Sequence, residues 1–398
     1  MTAKTPTRIL FVHNNNDLYG ADIALLTLLK RLNRTRFEPL VVLPTDTRHI
    51  NRLSTELDKI GVECGFLPIG VLRRRYLRRG RVFAHAVELA GAVWSLSRLI
   101  RKRRIDLVHS NTLQVVAGAG AALFTRRPHI WHVHELLVDP SWLRRTLHWM
   151  VPRCSTVVVA NSEAVRQHLL VDAASYRDRI QVILNGIDTA AFGGNAGRDE
   201  IRKEWGVAPG ETLIGMIGKV TRWKGQLAFA GAARLVLDTH PGTKFAAVGG
   251  VFDDETHFMD RFCEEVERMG LGDSLIISDF RSDVPQVLHA FDIFVLPSTW
   301  PEPFGLVVTE AMAAGKPVVA TAHGGPTEIV AAGETGYLVP PGDAQALADA
   351  IRRFLDDRTL IQRMGLAGQR RADERFDVSR YVREFENLYQ TVEEGDSL

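Results

Sequence analysis

Three cysteines in 398 residues are too few for a disulfide-stapled scaffold. Cys64, Cys154 and Cys263 stand far apart, and no four-residue Cys/His set has the spacing of a zinc site. Free thiols of this kind suit a reducing compartment. Long apolar runs are missing too. The longest uncharged one is Val115 to Phe124, whereas a membrane span takes roughly 20 residues. Near the start, the apolar stretch Ile9 to Val12 is too short for the core of a secretion signal and reads as a buried strand. No repeat of solenoid length and no low-complexity stretch occurs. These absences point to a cytoplasmic chain, at most peripheral on the inner face of a membrane.

What is present is ordinary globular material: 45% hydrophobic and 24% charged residues. That balance excludes a disordered chain, a collagen and a coiled coil. A domain usually takes about 100–200 residues, so two domains are expected. Net charge is only +2, but it is unevenly placed. Met1–Asp188 carries 28 basic and 15 acidic residues, an excess of +13, and the remainder carries −11. Opposite signs support a division near residue 188 and suggest that the first half meets something anionic.

Short apolar runs alternate with helical patterns along the whole chain. Strands are expected at Arg8–His13, Pro39–Leu43, Leu107–His109, His129–His134, Thr156–Ala160 and Gln181–Leu184. In the second half they fall at Leu213–Ile217, Lys244–Val248, Leu275–Ser278, Ile293–Leu296, Pro317–Thr321 and Gly336–Val339. Helices are expected between them, among them Asp22–Leu32, Ile50–Ile60, Phe83–Arg101, Ser162–Leu170, Gln226–Thr239, Asp254–Met269, Val284–Ala290 and Phe304–Ala314. This is the pattern of doubly wound α/β domains with parallel sheets buried on both faces. We expect domains at 1–188 and 189–375, with a helix in 376–398 crossing back to the first. Ligands of such sheets bind on loops at the carboxyl ends of the strands.

Five loops carry candidate chemistry. Pro297-Ser298-Thr299-Trp300-Pro301-Glu302-Pro303-Phe304-Gly305-Leu306 follows a strand and opens a helix that reaches Glu310 and stops at Gly315-Lys316-Pro317. The free N–H groups of its first turn, from about Phe304 through Gly305 to Leu306, can receive a phosphate. Glu302 can accept hydrogen bonds from sugar hydroxyls, and Glu310 can bind a ribose diol. A lone glutamate in such a place is by default a solvated helix residue, so the surrounding string matters. Gly218-Lys219-Val220-Thr221-Arg222-Trp223-Lys224-Gly225 follows another strand, and its two lysines can hold a diphosphate and offset charge growing on a leaving group. His129-Ile130-Trp131-His132-Val133-His134-Glu135 puts His132 and His134 on one strand face, with Glu135 pointing the other way. Asn14 to Asp22 holds Gly20 at a strand-to-helix turn, where backbone can approach a ligand. In Asp279-Phe280-Arg281-Ser282-Asp283, Asp283 suits a helix cap.

The string from Glu302 to Glu310, continuing to Pro317-Val318-Val319-Ala320-Thr321 and Gly324-Gly325-Pro326-Thr327-Glu328, resembles the glutamate-pair motif of glycosyltransferase family 4, the glycosyl transferases group 1 family, with retaining chemistry and the GT-B fold. The resemblance implies two Rossmann-like domains facing across a cleft. It implies Lys219 and Lys224 as the basic pair, although the family usually has arginine where Lys219 stands. It implies His134 on a donor-sugar hydroxyl, and Phe280 or Arg281 at the nucleobase. The family typically has two adjacent glycines followed by Ala-Glu where this chain has Tyr19-Gly20-Ala21-Asp22, a departure that hints at a modified acceptor pocket. No metal is expected, since the family is generally metal-independent and no DxD motif stands out; Asp253-Asp254-Glu255 reads as a helix start.

The expected activity is transfer of a hexose-type sugar from a nucleoside-diphosphate sugar to a glycan or lipid-linked acceptor, as in polysaccharide or glycolipid synthesis. The alternatives are a catalytically silent sugar-nucleotide-binding protein and a nucleotide-sugar epimerase on the same fold. Arginines at 73–75, 78, 79, 81, 101, 103, 104, 126, 127, 144 and 145, with Lys102 among them, suit an anionic membrane surface. No nucleic-acid-binding module accompanies them.

Overall fold

The computed structural model describes residues 5–73, 82–251 and 255–395. The chain forms two compact units, residues 1–186 with 378–398, and residues 187–377.

In the first unit, strands β1 (Thr7–His13), β2 (Phe37–Pro44), β3 (Glu63–Leu67), β4 (Leu107–Asn111), β5 (His129–Val133), β6 (Val157–Ala160) and β7 (Ile180–Val182) make one parallel sheet in the order β3-β2-β1-β4-β5-β6-β7. Helices α1 (Gly20–Arg31), α2 (Arg52–Lys59), α3 (Val82–Arg103), α4 (Val116–Thr125), α5 (Ser141–Met150) and α6 (Glu163–Ala173) cross between the strands. The central strands are buried on both faces, which is why they read as continuous apolar runs. Helix α6 starts at Ser162, whose hydroxyl accepts the Val165 N–H at 3.0 Å.

In the second unit, helix α7 (Arg198–Glu204) precedes strands β8 (Thr212–Ile217), β9 (Thr243–Val248), β10 (Leu275–Ser278), β11 (Ile293–Leu296), β12 (Val318–Thr321) and β13 (Gly336–Val339), in the parallel order β10-β9-β8-β11-β12-β13. Its other helices are α8 (Gln226–Leu237), α9 (His257–Arg268), α10 (Val284–Ala290), α11 (Leu306–Ala313), α12 (Pro326–Ile329), α13 (Ala344–Asp356) and α14 (Thr359–Arg375).

The last helix, α15 (Val378–Glu394), packs on the first unit, where Tyr381, Phe385 and Tyr389 join the core formed with α1 and β1. The Tyr389 hydroxyl lies 2.9 Å from His109 Nδ1. Phe385 is fully buried, with ring centroids 5.0 Å from His132 and 5.6 Å from His109. Phe385→Ala is expected to destabilise the first unit by about 3–5 kcal/mol, since the cavity cannot collapse between two rigid layers. Urea unfolding measures this, and a loss under about 1 kcal/mol would contradict the packing.

Several elements differ from the sequence expectation. Strand β3 was not expected, because Glu-Cys-Gly-Phe-Leu is a half-exposed edge strand without an apolar run. Helix α4 occupies the uncharged run around Val115–Phe124 and has almost no polar face, because Ala and Gly allow it to pack tightly beside α3 and β4. Helices α5, α7, α13 and α14 also lay outside the expected set; in α13 the buried Leu347, Ile351 and Phe354 follow a helical period. Arg74, Arg75, Arg78, Arg79 and Arg81, and likewise Asp253 and Asp254, lie outside the described residues.

Candidate active site

In each unit the strand order reverses once, between β1 and β4 and between β8 and β11. Loops leaving the carboxyl ends of such a strand pair diverge to opposite faces, and the space between them is where open α/β sheets take ligands. Gly20, Lys219, Lys224 and Glu302 follow strands at these reversals, whereas His134 follows β5 and Arg281 follows the edge strand β10.

In the second unit, the loop after β8 brings Lys224 and the loop after β11 brings Glu302. Lys224 Nζ donates to Glu302 Oε1 at 2.7 Å, and Ser298 Oγ donates to the same oxygen at 2.5 Å. The two loops are stitched together, with Thr299 N donating to the Trp223 carbonyl at 2.8 Å. Gly225, at φ +82°, makes this possible: a Cβ there would run into the Pro297 carbonyl. From β12, Gly325 N donates to the Glu302 carbonyl at 2.8 Å, and a side chain on Gly324 would collide with the Glu302 backbone. Glu302 is buried. Burial pushes its carboxyl up, but the Lys224 ammonium, the Ser298 hydroxyl and nearby His323 more than offset this, so it stays below the ordinary value and ionised. Lys219 lies half-buried on the same β8 loop, and its carbonyl accepts from Gln226 Nε2 at 2.8 Å.

Helix α11 starts at Leu306, later than the sequence implies. Gly305 caps it at φ +104°, and the Val308 N–H already bonds to the Gly305 carbonyl at 2.9 Å. The open N–H groups are therefore those of the Leu306 turn. The Phe304 ring is a core group, 6.0 Å from Phe376, so its side chain is not offered to a ligand. Glu310 stands half-buried in the same helix, and burial pushes its carboxyl up to about 7.

That shift has a measurable consequence. The folded chain keeps a proton on Glu310 that the unfolded chain releases near 4.5. Stability therefore falls as pH rises from about 4.5 to about 7 and is level above that. With about 1.4 kcal/mol for each pKa unit, and some screening by solvent, the penalty above pH 7 is about 1–3 kcal/mol. Glu310→Gln is expected to melt higher than the native chain at pH 8 and equally at pH 4.5. A melting difference that does not change with pH would refute this.

Asp283 departs from its expected role. Asp283 makes no side-chain cap to α10. It pairs with Arg281 through Nε at 2.9 Å and Nη2 at 2.7 Å, and Arg281 also reaches Glu204 at 2.5 Å. The guanidinium is thus held by two carboxylates, and Phe280 stands half exposed on the same loop.

In the first unit, the reversal holds residues the sequence reading passed over. His13, at the end of β1, places Nε2 2.5 Å from Asp22 Oδ1 and donates through Nδ1 to the Asn111 carbonyl at 3.0 Å. The other Asp22 oxygen accepts the Tyr19 N–H at 2.8 Å, as a third-position helix carboxylate can. His134 lies just past the end of β5. Its Nε2 donates to Asn111 Oδ1 at 3.1 Å and its Nδ1 accepts from Asn161 at 3.4 Å. Burial, reinforced by His13, pushes it down to about 3, so it is a neutral ring. The His132 ring lies tilted against it, with centroids 3.9 Å apart, and is buried with no hydrogen-bond partner among the described residues, as a core histidine. Glu135 is not in the strand; its carboxylate turns back to accept the N–H groups of Leu113 and His134, each at 3.0 Å. Gly20 is the exposed first residue of α1. The Asp22 signal was legible as a carboxylate three residues after a helix cap; the His13 partnership, built across strands, was not.

Among the described residues no three His, Cys, Asp or Glu side chains converge to hold a metal ion.

Residues 19–191 match the family described as Glycosyltransferase Family 4, and residues 197–371 match Glycosyl transferases group 1. The lipopolysaccharide core biosynthesis mannosyltransferase LpsB of Rhizobium meliloti is 32% identical over 213 residues, which are 53% of this chain and 60% of LpsB. The chain thus spans about three-fifths of that relative. A UDP-Gal:alpha-D-GlcNAc-diphosphoundecaprenol alpha-1,3-galactosyltransferase of Escherichia coli is 25% identical, covering 85% of this chain and 88% of the enzyme. The crystal structure of Anabaena HepE in complex with UDP and glucose is 28% identical, with a TM-score of 0.81, and covers 97% of this chain and all of HepE. Two Rossmann-like parallel-sheet units, the glutamate pair of the β11 loop and α11, and matches over both halves lead to one conclusion: the chain belongs to the group 1 glycosyl transferases, family 4, sugar-transferring enzymes of the GT-B fold.

Proposed function

We propose that this chain is a retaining glycosyltransferase that moves a hexose-type sugar from a nucleoside-diphosphate sugar to a glycan or lipid-linked acceptor. The observation that carries the proposal is the Lys224–Glu302 pair at the strand reversal of the second unit, with the open turn of α11 following it in sequence. Lysines 224 and 219 and the N–H groups near Leu306 supply what a diphosphate needs: fixed positive potential in a site assembled before the ligand arrives. Glu302 is kept ionised and anchored to accept sugar hydroxyls, and Glu310 accepts the ribose diol. HepE, described with UDP and with glucose, supports a uridine nucleotide as the donor's carrier. The first unit handles the acceptor, and His134, held by Asn111 and Asn161, bonds a hydroxyl of the donor sugar.

No catalytic metal is required on this reading, because the lysine pair offsets the charge of the departing diphosphate. The activity is accordingly expected to survive a chelator. The silent-binder alternative gains nothing from the structure, since Glu302, Lys224 and Ser298 form a complete hydrogen-bonded set.

We also propose peripheral attachment to an anionic membrane. Exposed Trp94, Phe124 and Trp149 of the first unit lie beside Arg98, Arg101 and Arg153 at 4.9, 5.0 and 4.2 Å, and such aromatic–arginine pairs suit a headgroup layer. Among the described residues no helix is long and apolar enough to cross a membrane.

The test is incubation with UDP-, GDP- and ADP-hexoses and candidate acceptors, reading nucleotide release and the anomeric configuration of the product by NMR. Release that depends on an acceptor, with the donor's configuration kept, is expected. Inversion, or a C-4 or C-2 epimer of the donor without transfer, would overturn the reading.

A further inference from the structure

A hollow of about 160 Å³ lies in the second unit against the start of α8. Thr221, Arg222, Gln226, Phe258, Arg261 and Thr299 are among its lining residues. None of Lys219, Lys224, Glu302 or Glu310 lines it. Among the described residues its charge is of one sign: Arg222 and Arg261 are exposed at it, and no carboxylate belongs to the lining. Glu265, one turn beyond Arg261, is occupied by Arg268 at 2.6 Å.

The hollow's polar groups are specific. Thr221 and Gln226 are 5% and 3% exposed, and Thr221 Oγ1 and Gln226 Oε1 have no hydrogen-bond partner among the described residues. Such buried orphans are costly unless a water or a ligand meets them. The Gln226 amide orientation is set, because Nε2 donates to the Lys219 carbonyl. Oε1 therefore asks for a donor, which a sugar hydroxyl offers. The first-turn N–H groups of Gln226, Leu227 and Ala228 add positive potential, the helix's own bonds starting at Phe229 N to Gly225 O. Phe258 and Phe262 supply an apolar wall of the kind that packs against a sugar's C–H face. At the rim, the Arg222 guanidinium lies 4.5 Å over the Trp300 ring, which is 41% exposed and tilted against Trp223 at 6.1 Å.

We propose that this hollow is a second carbohydrate site, separate from the lysine–glutamate site, that binds a sugar carrying a phosphate or a carboxylate. The arginines and the α8 N-terminus take the anionic group. Gln226 Oε1 and Thr221 Oγ1 take hydroxyls, and the phenylalanines take the ring face. The inference goes beyond sugar transfer and stands independently of it.

The test is calorimetric titration of the full chain, first saturated with UDP, with glucose 6-phosphate, methyl glucuronide, glucose and inorganic phosphate. At least one anionic sugar is expected to bind, with glucose and phosphate each at least tenfold weaker. Arg261→Ala is expected to weaken that binding at least tenfold while leaving UDP affinity unchanged, and Thr221→Val to weaken it severalfold. Preference for the glucuronide assigns the site to a unit of a glycan chain, and preference for the sugar phosphate assigns it to a soluble effector. Absence of binding, equal binding of inorganic phosphate, displacement by UDP, or indifference to both substitutions overturns the proposal. If UDP itself does not bind, the donor assignment falls, while the anionic-sugar titration still decides this one.

Discussion

Lys224→Ala is expected to lower the turnover of sugar transfer by about 10²–10³-fold, the usual loss when a preset electrostatic group facing a developing anion is removed. Two effects add. The departing diphosphate loses a cation, and Glu302 loses the ammonium that keeps it ionised. In the native chain that ammonium sits 2.7 Å from Glu302 Oε1, in a place where burial alone pushes the carboxyl up. Without it, Glu302 is expected to titrate higher, and the limb of the pH–rate profile set by this carboxyl should move toward neutral pH. UDP affinity should fall as well. The stability cost is smaller than for a sealed ion pair, about 1–3 kcal/mol, because the Lys224 side chain is 25% exposed. Steady-state kinetics with the donor found by nucleotide release, together with UDP titration, measure both effects. A variant with native turnover and native UDP affinity would remove Lys224 from the site.

The second large effect is expected from Glu302→Gln. The substitution keeps shape and an oxygen for the Ser298 hydroxyl, but it removes the charge. Transfer should fall on the order of 10²-fold or more, while UDP affinity stays within a few-fold, since the phosphate grip lies on the lysines and the α11 turn. The split between turnover and nucleotide binding is what separates this variant from Lys224→Ala. The double variant Lys224→Ala/Glu302→Gln should be less impaired than the product of the two singles, with a coupling of about 1–3 kcal/mol for residues in direct contact. Independent effects would mean that the 2.7 Å pair plays no part in the reaction.

Much of this site was legible in the linear chain. Glu302, Glu310, Lys219 and Lys224 sit in strings whose strand–loop–helix punctuation is local: an apolar strand, a glycine or proline turn, then a helical period. All six strands of the second unit could be placed this way, because a buried parallel strand must be apolar on both faces. Where a residue's partner is distant, the local reading failed. Nothing local to Arg281 announces Glu204, seventy-seven residues earlier, which helps to hold it. Asp283 looked like a cap and is an ion-pair partner instead. Phe304 looked like part of a helix tip, but Phe376 draws its ring into the core.

The sequence by itself determined the alternation of strands and helices, the charge division between the halves and the identity of the groups proposed to grip a diphosphate sugar. These follow from periodicity, turn chemistry and residue type, which act over a few residues. Only the tertiary structure decided which side chains are paired: Lys224 with Glu302, His13 with Asp22, His109 with Tyr389 from the far end of the chain. It also decided which carboxyl is held ionised and which is pushed toward neutrality, Glu302 against Glu310. The physical reason is that burial and Coulomb interaction depend on distance in space, and the order of strands in a sheet, not their order in the chain, sets that distance.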